Sequence, residues 1–289
     1  MLKLVSDRLK IELRHPLDDF YRGTRFDHSG IFAGAQLCGV EMAAPWFENY
    51  SPVMHDAVQG PAEDFSQIGF DAAVPGDVFL KPGVGLLRRP DDAPYDRFRL
   101  YEIAEAGAWE VWQDGTKGVG FSHELAGWYK YVKYLLLTGP EDLCIRHSLT
   151  ALDNPLAGNM YNHNFWTFGN LSVGRHRLLD FPFKPRGHWR AEYDSVALTD
   201  SGIRFNRGLQ KGETVFMGDL AACGQESVPY DMEMSEGDIS VAIRCDVPAS
   251  HIVFWANHRI ACLEPYIRYD LAPGRSFHWE IRYHFTARR

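Results

Sequence analysis

The feature that most constrains the fold is a two-residue alternation of apolar and polar side chains that recurs along nearly the whole chain. It is plain in LKLVSDRLKIELR, RFRLYEIAEA, WEVWQD, YKYVKYLLLTG, LCIRHSLTAL, DSVALTDSGIRF, ISVAIRCDV, HIVFWAN and SFHWEIRYHF. Successive side chains of a strand point to opposite faces, so this period belongs to strands buried on one side. Asp-Gly in WQDGTKG, Gly-Pro in LTGPEDL and Pro-Gly in AVPGD, KPGVG and LAPGR punctuate the alternation with the residues that hairpin turns require. No long window carries a helical period. The best helical stretch, HDAVQGPAEDFSQIGF, is interrupted by Gly60 and Pro61 and reads as a loop with one helical turn.

About 12 to 18 strands of ordinary length fit the 289 residues, too many for one small sheet. The expectation is an all-β protein, a large antiparallel β-sandwich of two packed sheets. No repeat, low-complexity linker or boundary interrupts the chain, so residues 1–289 are expected to form a single domain. A formal net charge of −8 without runs of like charge argues against nucleic acid or an anionic membrane as partner. The opening MLKLVSDRLKIEL has no apolar leader core, and no apolar stretch approaches the roughly 18 residues of a membrane span, which predicts a cytoplasmic protein. The five scattered cysteines contain no C-x-x-C pair and are expected to be reduced.

Phosphate-loop, dinucleotide, zinc-protease and nucleophile-elbow motifs are all absent. Four segments instead set polar groups among aromatic rings, in a chain with 8 Trp, 13 Tyr and 18 Phe. Rings fit half-buried strands, and they also stack on the C–H faces of sugars. In Tyr161-Asn162-His163-Asn164-Phe165-Trp166, a strand would send Tyr161, His163 and Phe165 to one face and Asn162, Asn164 and Trp166 to the other. His163 is then either a core histidine bonded to backbone or part of a binding site. In Cys262-Leu263-Glu264-Pro265-Tyr266, a carboxylate among Ile260, Leu263 and Tyr266 is costly to bury, and desolvation would raise it toward general-base range; an exposed strand-end Glu is the alternative. The segment Tyr21 to Gly30 offers Arg22 and Arg25 as forked donors for hydroxyls or a carboxylate, or else a structural Arg25–Asp27 pair. The segment from His55 to Phe65 places Glu63 and Asp64 in a loop, either binding a ligand or facing water.

Taken in order, these segments resemble the galactose mutarotase (aldose 1-epimerase) superfamily. ACLEPYIRYDLAPGRSFHWEIRYHF is similar to the family stretch in which a catalytic Glu precedes L-x-P-G-x and a final strand, which falls on Glu264. YNHNFWTFGN is similar to the N-H-x-[YF]-F segment whose His is the general acid, which falls on His163. YRGTRFDHSGIFAGAQL resembles the early strand with an Arg beside the sugar, Arg25 or alternatively Arg22. The family's L-H-G-G histidine has only His55 roughly in its place, and its loop Asp corresponds to Asp231 in SVPYDMEM.

The resemblance implies a mutarotase-like supersandwich that binds a small carbohydrate, as a monomer or homodimer, and interconverts its anomers. An ionised Glu264 would take the O1 proton and a protonated His163 would give one to O5. Arg25 would orient hydroxyls, with Glu63 and Asn162 among the binding groups, while Trp166, Tyr161 or Trp255 stacks beneath the ring. No metal or organic cofactor is demanded. Two alternatives stand beside this: a uronate-directed polysaccharide lyase using His163 or Tyr161 as base, and a non-catalytic sugar-binding protein.

Overall fold

The computed structural model describes residues 1–169 and 171–287. Among these it contains 23 strands and no helix. The excess over the expected number comes from two smaller antiparallel sheets, one of four strands between Leu2 and Ala43 and one of three between Val78 and Glu105. Two antiparallel sheets carry the molecule. The larger runs, from one edge to the other, through Ala108–Asp114, Gly118–Leu125, Tyr129–Leu137, Asp142–Ala151, Ser276–Ala287, Ile239–Cys245, Asp231–Glu236, Arg177–Asp180, Gly202–Phe205 and Val196–Thr199. The smaller has six strands in the order Pro185–Arg186, Thr214–Ala222, His251–Asn257, Ala261–Leu271, Leu156–Phe165 and Gly60–Phe65.

The turn residues act where the sequence puts them. Asp114-Gly115 joins the first hairpin of the large sheet, and Pro273-Gly274, with φ of 75° at the glycine, joins Ala261–Leu271 to Ser276–Ala287. One face of each sheet packs into a shared core that includes Met160, Trp166, Phe254, Leu263, Ile267, Trp279 and Ile281. The other face of the six-stranded sheet carries a second apolar cluster of Tyr21, Phe26, Trp46, Phe165, Ile260 and Cys262. No described helix is long and apolar enough to cross a membrane.

Gly60-Pro61-Ala62-Glu63-Asp64-Phe65, read from sequence as a loop, is a strand with all six residues buried. Gly60 launches it with φ of 69°, and a Cβ there would stand 2.6 Å from the Phe32 ring. Pro61 is tolerated because the strand is at the sheet edge and pairs only with Leu156–Phe165. RFRLYEIAEA departs the other way. Only Glu102–Glu105 is strand, and the residues before it form a loop.

Candidate functional site

The outer face of the six-stranded sheet floors a cleft of about 460 Å³. Alternation decides what faces it. From Leu156–Phe165 come His163 and Phe165, from Ala261–Leu271 come Glu264 and Tyr266, from His251–Asn257 come Val253 and Trp255, and from Thr214–Ala222 comes Phe216. Loops close the sides with Arg25, Trp46, His55, Asp56, Arg97, Phe98 and Arg190. The walls are largely aromatic: Trp46 stacks on Phe165 with centroids 5.2 Å apart and meets Trp255 edge-on at 5.5 Å. Phe98 stands 55% exposed at the mouth, 4.8 Å from the His55 ring.

Tyr161 and Tyr266 are cross-strand partners. Two residues further on, the same register sets His163 against Glu264, and their Nε2 and Oε1 atoms are 3.1 Å apart. Both side chains are nearly buried, with His163 also stacked on Phe165 at 3.7 Å. Burial raises the Glu264 carboxyl to about 7, partly offset by the Arg25 and Arg97 charges. Burial, and then the same two guanidiniums, push His163 well below its ordinary value. Burial therefore favours the neutral forms of both, where the sequence reading expects an ionised Glu264 and a protonated His163. Between the two transitions the pair holds one proton, and the apparent values belong to the pair.

Beside this pair lies a buried corner of charge. Asp64 accepts from Arg25 Nε at 3.3 Å, from the Tyr161 hydroxyl at 2.6 Å and, through its other oxygen, from the Lys81 ammonium. Tyr161 accepts in turn from Arg25 Nη2 at 2.9 Å and Arg97 Nη1 at 3.3 Å. The phenol thus links the acidic strand Gly60–Phe65 to two guanidiniums at the cleft wall.

The structure gathers Glu264, His163, Arg25, His55 and Trp255 into the cleft, with Tyr161 anchoring its arginines from behind. Five other sequence candidates stand elsewhere. Arg22 is exposed on the surface, 3.6 Å from Asp19. Glu63 and Asn162 alternate onto the inner face, where the Asn162 amide donates to Glu63 at 3.0 Å. Trp166 is fully buried between the sheets against Phe32 and Phe285, so it cannot stack beneath a ligand in the cleft. Asp231 lies in the ten-stranded sheet and pairs with Arg244 at 3.1 Å.

Sequence reasoning missed Trp46, Arg97, Arg190 and Phe216. The sequence reading set Arg97 at the head of the strand RFRLYEIAEA, although the turn-rich Asp91-Asp92-Ala93-Pro94 just before it marks a loop. For Arg190 no local signal stands out.

No family model matches the chain, and no curated protein matches its sequence. Solved structures do resemble it. A putative aldose 1-epimerase from Escherichia coli K12 superposes with a TM-score of 0.63 at 12% identity, covering 99% of both chains. Slr1438 from Synechocystis sp. PCC 6803 gives 0.60 at 14% identity over 99% of this chain and 95% of that one. A GalM/aldose epimerase homologue from C. elegans gives 0.53 at 14% identity, covering 100% of this chain and 99% of that one. At such identities the likeness carries the fold, and the fold of this chain is the galactose mutarotase-like β-sandwich of the aldose 1-epimerases.

Proposed function

We propose that this chain is an aldose 1-epimerase-like isomerase of the cytoplasm that interconverts the anomers of a small carbohydrate, with Glu264 and His163 as its acid-base pair. The observation that carries this reading is the 3.1 Å contact between His163 Nε2 and Glu264 Oε1 on the floor of an aromatic cleft. Opening a hemiacetal removes a proton from O1 and delivers one to O5. Both oxygens are bonded to one carbon, so base and acid must stand side by side rather than across the ring.

The proton inventory suits this chemistry. A pair holding one proton supplies both functions: passing that proton from the Glu264 carboxyl to Nε2 yields the carboxylate and imidazolium that O1 and O5 require, without exchange with solvent. The roles reverse on ring closure from the other face. Trp255 and Trp46 offer rings to the C–H face of the sugar, and Arg25 offers donors to its hydroxyls.

The test is saturation-transfer NMR of α and β anomers across a panel of aldoses. Glu264→Gln and His163→Ala are each expected to slow the exchange by about 10²-fold or more. Unchanged exchange in both variants, for every sugar that the wild type accelerates, would refute the assignment, and a wild type that binds sugars without accelerating any would leave a binding protein.

A further inference from the structure

We propose that the sugar taken by this cleft carries an anionic group, a carboxylate, sulfonate or phosphate, at the exocyclic C6 position, and that Arg25 and Arg97 hold it. The position of the anomeric carbon rests on the reading of Glu264 and His163 above; the need for an anion does not.

The charges in this corner are unbalanced. Arg25 and Arg97 converge on one acceptor, the Tyr161 hydroxyl, at 2.9 and 3.3 Å, and Arg97 also donates to the Tyr266 hydroxyl at 3.2 Å. Asp64 lies within salt-bridge distance of Arg25, but its second oxygen is occupied by the fully buried Lys81. Three cations thus share one carboxylate, and among the described residues Arg97 has no carboxylate at salt-bridge distance. Across the cleft Arg190 stacks on Phe216 at 3.7 Å, likewise without a described carboxylate partner. The anions facing the same space are Glu264, held largely protonated by burial below about pH 7, and Asp56, which stands 3.8 Å from His55.

This excess of positive charge sits in a chain of net charge −8. The other buried guanidinium, Arg177, has Glu236 to itself at 2.9 Å, where Arg25 shares Asp64 with Lys81. Two guanidiniums held at one phenol by a rigid sheet repel each other, and an anion between them offsets that cost through forked hydrogen bonds. Tyr161 and Tyr266 stand two residues from His163 and Glu264 on the same strands, about 7 Å at a strand rise near 3.4 Å. C6 hangs from C5, beside the ring oxygen that the pair addresses, so an anomeric carbon at the pair leaves an anionic group on C6 free to extend along the strands to the guanidinium donors held at Tyr161 and Tyr266. Relief of the same guanidinium charges would also let His163 take up its proton, so an anionic substrate would assist in charging the acid.

The test compares sugars that differ only in this group: glucose with glucuronate and glucose 6-phosphate, galactose with galacturonate and galactose 6-phosphate. Affinity is measured by calorimetry and anomer exchange by NMR. At least one anionic member is expected to bind tenfold or more tightly than its neutral parent, with a preference that shrinks as salt rises. In Arg97→Gln the ratio of anionic to neutral affinity is expected to fall about tenfold, and in Arg190→Gln by less. Whether the carboxylate or the phosphate member leads identifies the group. Neutral parents that bind as well as their anionic counterparts, no binding by any anionic member, or an Arg97→Gln variant that weakens both members of a pair alike would overturn the proposal. Anionic binding without anomer exchange would remove the isomerase reading and leave this one; exchange of neutral sugars alone would do the reverse.

Discussion

The chain contains two buried histidine–glutamate pairs at nearly the same separation, one on the cleft side of the six-stranded sheet and one between the two sheets. His163 Nε2 meets Glu264 at 3.1 Å on the cleft side, and His147 Nε2 meets Glu63 at 3.0 Å between the sheets. Their electrostatics are opposite. Burial acts to raise Glu63, but the Lys133 ammonium, bonded to its second oxygen, and His147 outweigh it and hold the carboxyl at about 2. No lysine touches Glu264, and burial brings it up to about 7. Glu63 also accepts from the Asn162 amide, and His147 is stacked on Trp279 at 4.5 Å, both side chains being fully buried between the sheets. Distance alone therefore does not make an acid-base pair. What separates the two is a carboxyl free to exchange a proton near neutral pH and space for a ligand next to it.

The largest expected contrast is in turnover. Glu264→Gln is expected to lower anomer exchange by about 10²- to 10⁴-fold while the protein stays folded, measured by NMR exchange alongside thermal unfolding. Lys133→Met acts on the other pair. It leaves Glu63 and Asp27 buried without their cation, and denaturant unfolding at neutral pH is expected to report a loss of about 3 to 5 kcal/mol. Part of that loss should return in acid as the two carboxyls protonate, Asp27 already being raised to about 6 by burial.

A smaller effect separates the pairs by pH. Glu264 binds its proton more tightly folded than unfolded, so its contribution is full below about pH 4.5 and is lost as pH rises through about 7. Unfolding free energies of wild type and Glu264→Gln, compared over this range, are expected to move in favour of the variant by at most about 3 kcal/mol. A constant gap would place Glu264 in water-like surroundings. Glu63, lowered rather than raised, has the opposite sign: its contribution stands above its unfolded value and is lost in acid.

The architecture was legible because it depends on local alternation and turn chemistry, which each strand carries in its own residues. Alternation also foretold the split of Tyr161, His163 and Phe165 from Asn162, Asn164 and Trp166, since only strand parity is needed for it. The strand Gly60–Phe65 was not legible. Glu63 and Asp64 look solvated in sequence because the groups that neutralise them are far along the chain: Lys133 and His147 on one face, Lys81 and Arg25 on the other. The same distance hid Arg97 and Arg190, which reach the cleft on loops whose path the alternation does not set. Asp231 failed for a plainer reason, a weak local context that turned out to be an ordinary cross-strand ion pair with Arg244.

The most direct test follows the Glu264 carboxyl and the reaction together. In protein carrying ¹³C-labelled glutamate, the carboxyl shift absent from Glu264→Gln identifies this residue, and its titration is recorded over the pH range in which kcat/KM for anomer exchange is measured. A pair that works with one shared proton gives a carboxyl midpoint near 7 and a kcat/KM that falls as pH rises through the same midpoint. A Glu264 midpoint in the ordinary carboxylate range, or a kcat/KM that rises or stays level through pH 7, would contradict it.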